Sequence, residues 1–133
     1  MAKWQSVSVN VGETIMCGAI RGHKLLGDVP PDLGGHDCAL IPPEGLLLTL
    51  GNCMGMVIAL TCKARGVAYR DMKLEVSAEV NDDENYLDNF HVKITMPEAL
   101  DDKGRRAVEI GESICKTANT LRRACNVTVE VAE

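Results

Sequence analysis

Cysteine is the residue type in excess in this chain, and the one best able to do chemistry. The 133 residues include six of them, Cys17, Cys38, Cys53, Cys62, Cys115 and Cys125, beside three scattered histidines, His23, His36 and His91. A zinc site needs paired Cys/His ligands at short spacing, and neither a Cys-x-x-Cys motif nor such a pairing occurs, so no metal is expected. In a reducing compartment that leaves thiols that are either inert or redox active. Cys53 stands in the middle of an apolar segment beside Asn52, and from that segment alone it reads as a small buried hydrophobe, which is what most free cysteines are.

That segment, PPEGLLLTLGNCMGMVIALTCKARG from Pro42 to Gly66, is the element that must position it. Its ends are those of a helix. Pro42 and Pro43 suit the first turn, Glu44 complements the positive end of the dipole, and Lys63 and Arg65 complement the negative end. Gly66 then suits the left-handed position after the last turn. Apolar on nearly every face from Leu46 to Leu60, the helix is expected to be buried all round. Gly51, Gly55 and Ala59 form a stripe of small residues, where a partner helix, the same helix of a second subunit included, is expected to approach closely. The uncharged run is long enough to touch the lower limit of a membrane span, but its glycines, Asn52 and threonines favour a core helix.

The remaining chain alternates in strand fashion. Val7, Val9 and Val11 share one face of a first strand, and Val11-Gly12-Glu13 reads as a hairpin turn. Strands over 14–22 and 23–26 complete an N-terminal sheet. The Pro- and Gly-rich stretch 27–43 reads as loop, and loops this long in small domains are often functional. Met72, Leu74, Val76, Ala78 and Val80 alternate against Lys73, Glu75, Ser77 and Glu79. After the acidic turn NDDEN they pair with a strand turning Phe90, Val92, Ile94 and Met96 inward. Asp101-Asp102 begin a single amphipathic helix with Val108, Gly111, Cys115 and Ala118 inward, and a last strand over 126–132 points Val127, Val129 and Val131 inward. The expected class is α+β in the order β-β-β-α-β-β-α-β, as one domain over 1–133.

Composition excludes several functions. The net charge is −5 and the basic residues do not cluster, which argues against a nucleic-acid or anionic-membrane partner. Trp4, Tyr69, Tyr86 and Phe90 are the only aromatic residues, too few for base stacking. The start, MAKWQSVSVNV, has no apolar signal-peptide core, so a cytoplasmic location is expected.

Four stretches in order, RGHKLLGDVP, the glycine pair near residue 35, PEGLLLTLGNC and ICKTANTL, together resemble the OsmC family, the osmotically inducible and organic-hydroperoxide-resistance proteins. The resemblance spans nearly the whole chain and places Cys53 and Cys115 on the family's two cysteine positions. It implies an intertwined homodimer in which two antiparallel sheets enclose central helices. It also implies thiol-dependent reduction of organic hydroperoxides, one cysteine attacking the O–O bond and the other resolving the sulfenic acid as a disulfide. No bound cofactor is implied, and electrons would come from an external cellular dithiol.

The same resemblance implies an assisting arginine and glutamate, for which Arg21 and Glu44 are the candidates. An apolar environment raises a thiol's pKa, and Cys53 lies too far along its own helix for that helix's dipole to offset this. A fixed cation is therefore expected beside it. Arg21 stays charged when desolvated, and Glu44 could hold its guanidinium. On sequence alone, Arg21 reads as a solvated charge at a strand end and Glu44 as an ordinary helix N-terminal acid. Cys62 falls out of phase with Cys53 and is expected in the core; Cys38 and Cys125 could be exposed and oxidisable. The alternative on the same scaffold is a non-catalytic dimer that senses oxidation or binds a small ligand.

Overall fold

A computed structural model describes residues 1–123 and 125–132. The chain forms two compact units, Met1–Leu46 and Leu47–Glu133. As expected, the class is mixed α+β, with two small antiparallel sheets and helices.

In the first unit, β1 (Val7–Gly12), β2 (Ile15–Ile20) and β3 (His23–Gly27) form a sheet in that order, with Val9 opposite Cys17 and Cys17 opposite Leu26. Arg21 and Gly22 make the two-residue turn between β2 and β3, both at positive φ (49° and 82°). Such a turn matches the twist of the paired strands. The valine face of β1 is not half-buried as its alternation predicts: Val7, Val9 and Val11 are each more than half exposed.

The loop after β3 closes around a buried carboxylate. Asp28 accepts from the Thr14 hydroxyl at 2.6 Å, from the backbone N–H groups of His36 (3.1 Å) and Cys38 (3.3 Å), and from the Cys38 thiol (3.2 Å). These donors, the Thr14 hydroxyl first, outweigh burial and hold Asp28 well below the usual carboxylate range. Gly35 is buried in the same loop, where a Cβ would stand 2.0 Å from the Val29 carbonyl oxygen and 2.8 Å from Asp28 Oδ1. Only glycine fits there.

Helix α1 (Pro42–Arg65) begins and ends as its sequence predicts. Glu44 takes the Ile41 N–H on its carboxylate at 2.8 Å while its own N–H donates back to the Ile41 carbonyl, a reciprocal cap. At the far end Gly66 has φ 67° and the Val67 N–H bonds to the Cys62 carbonyl.

In the second unit, β4 (Lys73–Asn81) and β5 (Tyr86–Thr95) pair as the expected hairpin, with Val76 opposite Val92 and Leu74 opposite Ile94. Beyond Ser77 the register shifts at a bulge where Asn89 has φ 52°, and Val80 past that shift is exposed rather than inward. The core is built on Leu50, Met54, Ile58 and Cys62 of α1. It has the expected residents, but the small-residue stripe does not face another helix. A Cβ on Gly51 would meet Val76 at 3.2 Å and one on Gly55 would meet Leu74 at 3.5 Å, so β4 side chains fill the stripe.

Close helix approach occurs instead at Gly111 of α2 (Asp102–Ser113), where a Cβ would stand 2.7 Å from Ile58 Cα. The Thr61 hydroxyl, donating to the Ala107 carbonyl at 2.7 Å, ties the same two helices. Nor is α1 buried all round: Leu48, Met56 and Leu60 stay more than half exposed on its open side.

Two further differences lie beyond β5. The helix capped by Asp101, which accepts from the Gly104 N–H at 2.8 Å, stops at Ser113, and a separate helix α3 (Lys116–Leu121) follows. Ser, Thr and Asn bond to nearby backbone and favour caps and turns over helix interiors, and Ser113, Thr117, Asn119 and Thr120 crowd this stretch. The strand expected over 126–132 is not paired among the described residues, and Val127, Val129 and Val131 are each more than 80% exposed. An alternating sequence becomes a strand only when a second strand takes up its backbone groups.

Candidate functional site

The break between α2 and α3 sets out the thiols. At the break the backbone of Cys115 is extended (φ −71°, ψ 105°), and its Sγ caps α3 by accepting the Ala118 N–H at 3.5 Å. Cys115 is fully buried, as a member of the core cluster. Cys53 of α1 is half-buried and packs against the same core cluster. All six cysteines are free.

The environment of Cys53 is asymmetric. Burial pushes its thiol up, but the Thr117 hydroxyl, the backbone N–H groups of Thr117 and Lys116, and the Cys115 thiol all hydrogen-bond to its sulfur. Together they bring it below its ordinary value. Cys115 moves the other way. Burial raises it, and so does the neighbouring Cys53 sulfur, to which it donates its proton. Of the two, Cys53 is therefore the thiol that ionises more readily.

The sequence reading brought Cys53 and Cys115 to the same core and did not include the hydrogen bonding that lowers the first. It looked for the dipole of the helix that carries Cys53 and, finding it too distant, asked for a cation. The donors come from the first turn of another helix, α3, which exists because the chain breaks at Cys115. Thr117 was missed for the same reason. Its signal in the sequence was the cluster of cap-forming residues from Ser113 to Thr120, which argues against one continuous helix.

Arg21 and Glu44 belong to the first unit. Arg21 is exposed in the β2–β3 turn, and Glu44 caps the start of α1. Cys62 is in the core as expected, and burial raises its thiol. Cys38 and Cys125 are exposed.

A cleft of about 470 Å³ opens in the second unit, and neither Cys53 nor Cys115 is among its lining residues. Leu50 and Met54, on either side of Cys53 along α1, form part of its wall with Phe90, Val92 and Ile94 of β5. Ala118, whose N–H caps onto Cys115, is another lining residue. At its edge, Arg122 is paired with Glu112.

The model of the family described as OsmC-like protein matches residues 34–130. No curated protein matches the sequence. Among solved structures, the chain is similar to a Psychrobacter arcticus protein assigned to osmotic stress induction and the detoxification response, with 20% identity, TM-score 0.77, and 90% of this chain and 89% of that one covered. It is similar to an OsmC-like protein from Mycoplasma pneumoniae (18% identity, TM-score 0.69, 91% and 88% covered). A third similar structure is the organic hydroperoxide resistance protein OsmC from Legionella pneumophila (16% identity, TM-score 0.59, 92% and 90% covered). With the match running from the loop before α1 to the residues beyond α3, this chain belongs to the OsmC-like protein family.

Proposed function

We propose that this protein is a thiol-dependent peroxidase that reduces organic hydroperoxides with Cys53 as nucleophile and Cys115 as resolving thiol. The observation that carries the reading is the opposite displacement of the two thiols of one core, Cys53 below its ordinary value and Cys115 above. The Cys53 thiolate attacks the terminal oxygen of the hydroperoxide, the O–O bond breaks, and the alkoxide leaves and takes a proton, giving an alcohol and a sulfenic acid on Cys53. The Cys115 thiol then displaces that hydroxyl as water, forming the Cys53–Cys115 disulfide. An external dithiol reduces it by exchange and is itself oxidised.

The apolar wall that Leu50, Met54, Phe90, Val92 and Ile94 give the cleft suits the organic body of such a substrate. Arg21 and Glu44 act in this reading as the assisting cation and the carboxylate that holds it. A homodimer covers the apolar residues a single copy exposes on α1, β1 and the 126–132 segment. The cytoplasm, where thiols stay reduced, is the matching compartment.

Peptide mapping after one equivalent of cumene hydroperoxide tests the mechanism. The expected product links the Cys53 and Cys115 peptides. Cys53→Ser lowers peroxide consumption by on the order of a thousandfold or more. Cys115→Ser leaves the first oxidation intact but lets Cys53 pass on to sulfinic acid. A Cys38–Cys125 link instead, or a Cys53 that stays reduced while peroxide persists, overturns the reading in favour of a non-catalytic dimer.

A further inference from the structure

Glu112 and Arg122 stand ten residues apart, well beyond the three- and four-residue spacing at which side chains meet along one helix. The break at Cys115 redirects the chain, and Arg122, the residue that ends α3, closes an ion pair with Glu112 in the last turn of α2. A second guanidinium nitrogen of Arg122 donates to Asn119 Oδ1 at 3.2 Å. Both members of the pair line the cleft of about 470 Å³, and the third charge of that lining is Asp88 of β5. Asp88 Oδ1 accepts the Asn89 N–H at 2.8 Å, and among the described residues no cation pairs with Asp88. With histidine counted neutral, the cleft carries two carboxylates against one arginine, and that arginine is already matched. Its apolar wall includes Leu50 and Met54, which flank Cys53 on α1, and Ala118, whose N–H donates to Cys115 Sγ at 3.5 Å.

We propose that the cleft takes the body of an uncharged organic hydroperoxide and turns away one that carries a carboxylate, with Asp88, Glu112 and Arg122 as the specificity-determining residues. The inference rests on the peroxidase reading and deepens it by naming the substrate class. A carboxylate that enters the cleft unpaired faces Asp88 beside an apolar wall, where like charges are screened less than in water. A carboxylate that pairs with Arg122 displaces Glu112 and leaves that acid without its partner. One ion pair is then exchanged for another, and the desolvation of the incoming charge is not recovered. An uncharged body meets neither cost and gains the apolar wall. The selection is made by what the site refuses. Glu112 and Arg122 are partly open to solvent, so the discrimination is on the order of tenfold and narrows as salt is added.

The test compares two hydroperoxides with the same reacting group, cumene hydroperoxide bearing a para carboxylate and the methyl ester of that acid. Dithiothreitol is the reductant, and the pH is 8, above the range in which histidines ordinarily charge. The wild type is expected to show a kcat/KM roughly tenfold higher for the ester, a gap that narrows as ionic strength is raised. Asp88→Asn raises the acid-to-ester ratio, Glu112→Gln raises it further because it also releases Arg122, and Arg122→Gln lowers it. Each reading is a ratio within one protein, so damage to the fold cancels. Binding without chemistry is read with 4-isopropylbenzoate and its methyl ester, titrated against the Met54 methyl signal of protein carrying 13C-methyl methionine, which Met54→Leu assigns. The ester is expected to shift that signal at roughly tenfold lower concentration than the acid. Equal rates for the two hydroperoxides, a faster acid, or a ratio that does not move in Glu112→Gln overturns the proposal and leaves the peroxidase reading in place. A Met54 signal that answers neither compound, or answers the acid first, also overturns it. If neither hydroperoxide is consumed while Met54 answers the ester ahead of the acid, the cleft keeps its selectivity and the peroxidase reading falls.

Discussion

Cys38 and Cys53 are the same side chain in opposite surroundings. Cys38 is exposed, yet its thiol donates to the buried Asp28 carboxylate at 3.2 Å, and that anion, with some help from desolvation, pushes the thiol up. Cys53 is half-buried, yet hydrogen bonding outweighs that burial and brings it below its ordinary value. Ranked by accessibility, Cys38 would be the reactive thiol. Ranked by the sign of what each sulfur touches, the order reverses, because the nucleophile is the anion and the partner decides whether the anion can form.

The sharpest way to break this comparison is a competition between the two. In the reduced wild type at neutral pH, iodoacetamide is expected to label the Cys53 peptide on the order of a hundredfold faster than the Cys38 peptide. Faster labelling of Cys38 would mean that exposure, not hydrogen bonding, governs. The next largest effect comes from removing the carboxylate. Asp28→Asn leaves a neutral acceptor beside Cys38 and is expected to speed its labelling roughly tenfold while leaving Cys53 unchanged.

The same substitution has a pH signature in stability. Asp28 is held below its unfolded value of about 3.9, so its ionised form favours the folded state. That contribution is fully present above about pH 4 and is lost as pH falls from there toward the folded value. The gap in melting temperature between wild type and Asp28→Asn should therefore narrow as pH is lowered below about 4. A gap that is flat or widens there would remove Asp28 as the centre of the loop.

Much of this was legible in the sequence, and what was not has a common cause. Periodicity placed the β4–β5 hairpin and its inward residues as far as the bulge, though not Val80 beyond it, and end chemistry placed α1, because both are local signals. The glycine stripe was seen, but its occupant was not. Gly51 and Gly55 admit either a helix backbone or the side chains of a strand, and Leu74 and Val76 are what fill the space. The backbone contact that does need glycine lies at Gly111, where Ile58 approaches. Glycine reports that something comes close, not what it is. The pairing of 126–132 depends on a second strand, which no alternation of valines can name. For the site, the cysteine positions came through the family resemblance, whereas the activating donors depend on one helix break. That break was written in residues with weak helical preference, and Cys115, which sits in it, read as a helix interior position.

The smallest predicted effect isolates the backbone share of that donor set. Lys116 is the first residue of α3, a position where proline is well tolerated because its fixed φ suits the helix start and the N–H there has no partner within the helix. Here that N–H has a partner outside the helix, the Cys53 sulfur, and it is the last of the named contributions to lowering the thiol. Lys116→Pro removes this single donor, leaves the Thr117 hydroxyl and N–H in place, and should preserve α3. The pH midpoint of Cys53 labelling by iodoacetamide is expected to rise by a fraction of a pKa unit, slowing the labelling at neutral pH roughly threefold. Cys38, whose partner is Asp28, should not respond. A Lys116→Gln control keeps the N–H and removes the ammonium. If Lys116→Gln slows Cys53 as much as Lys116→Pro, the side-chain charge rather than the backbone donor was acting.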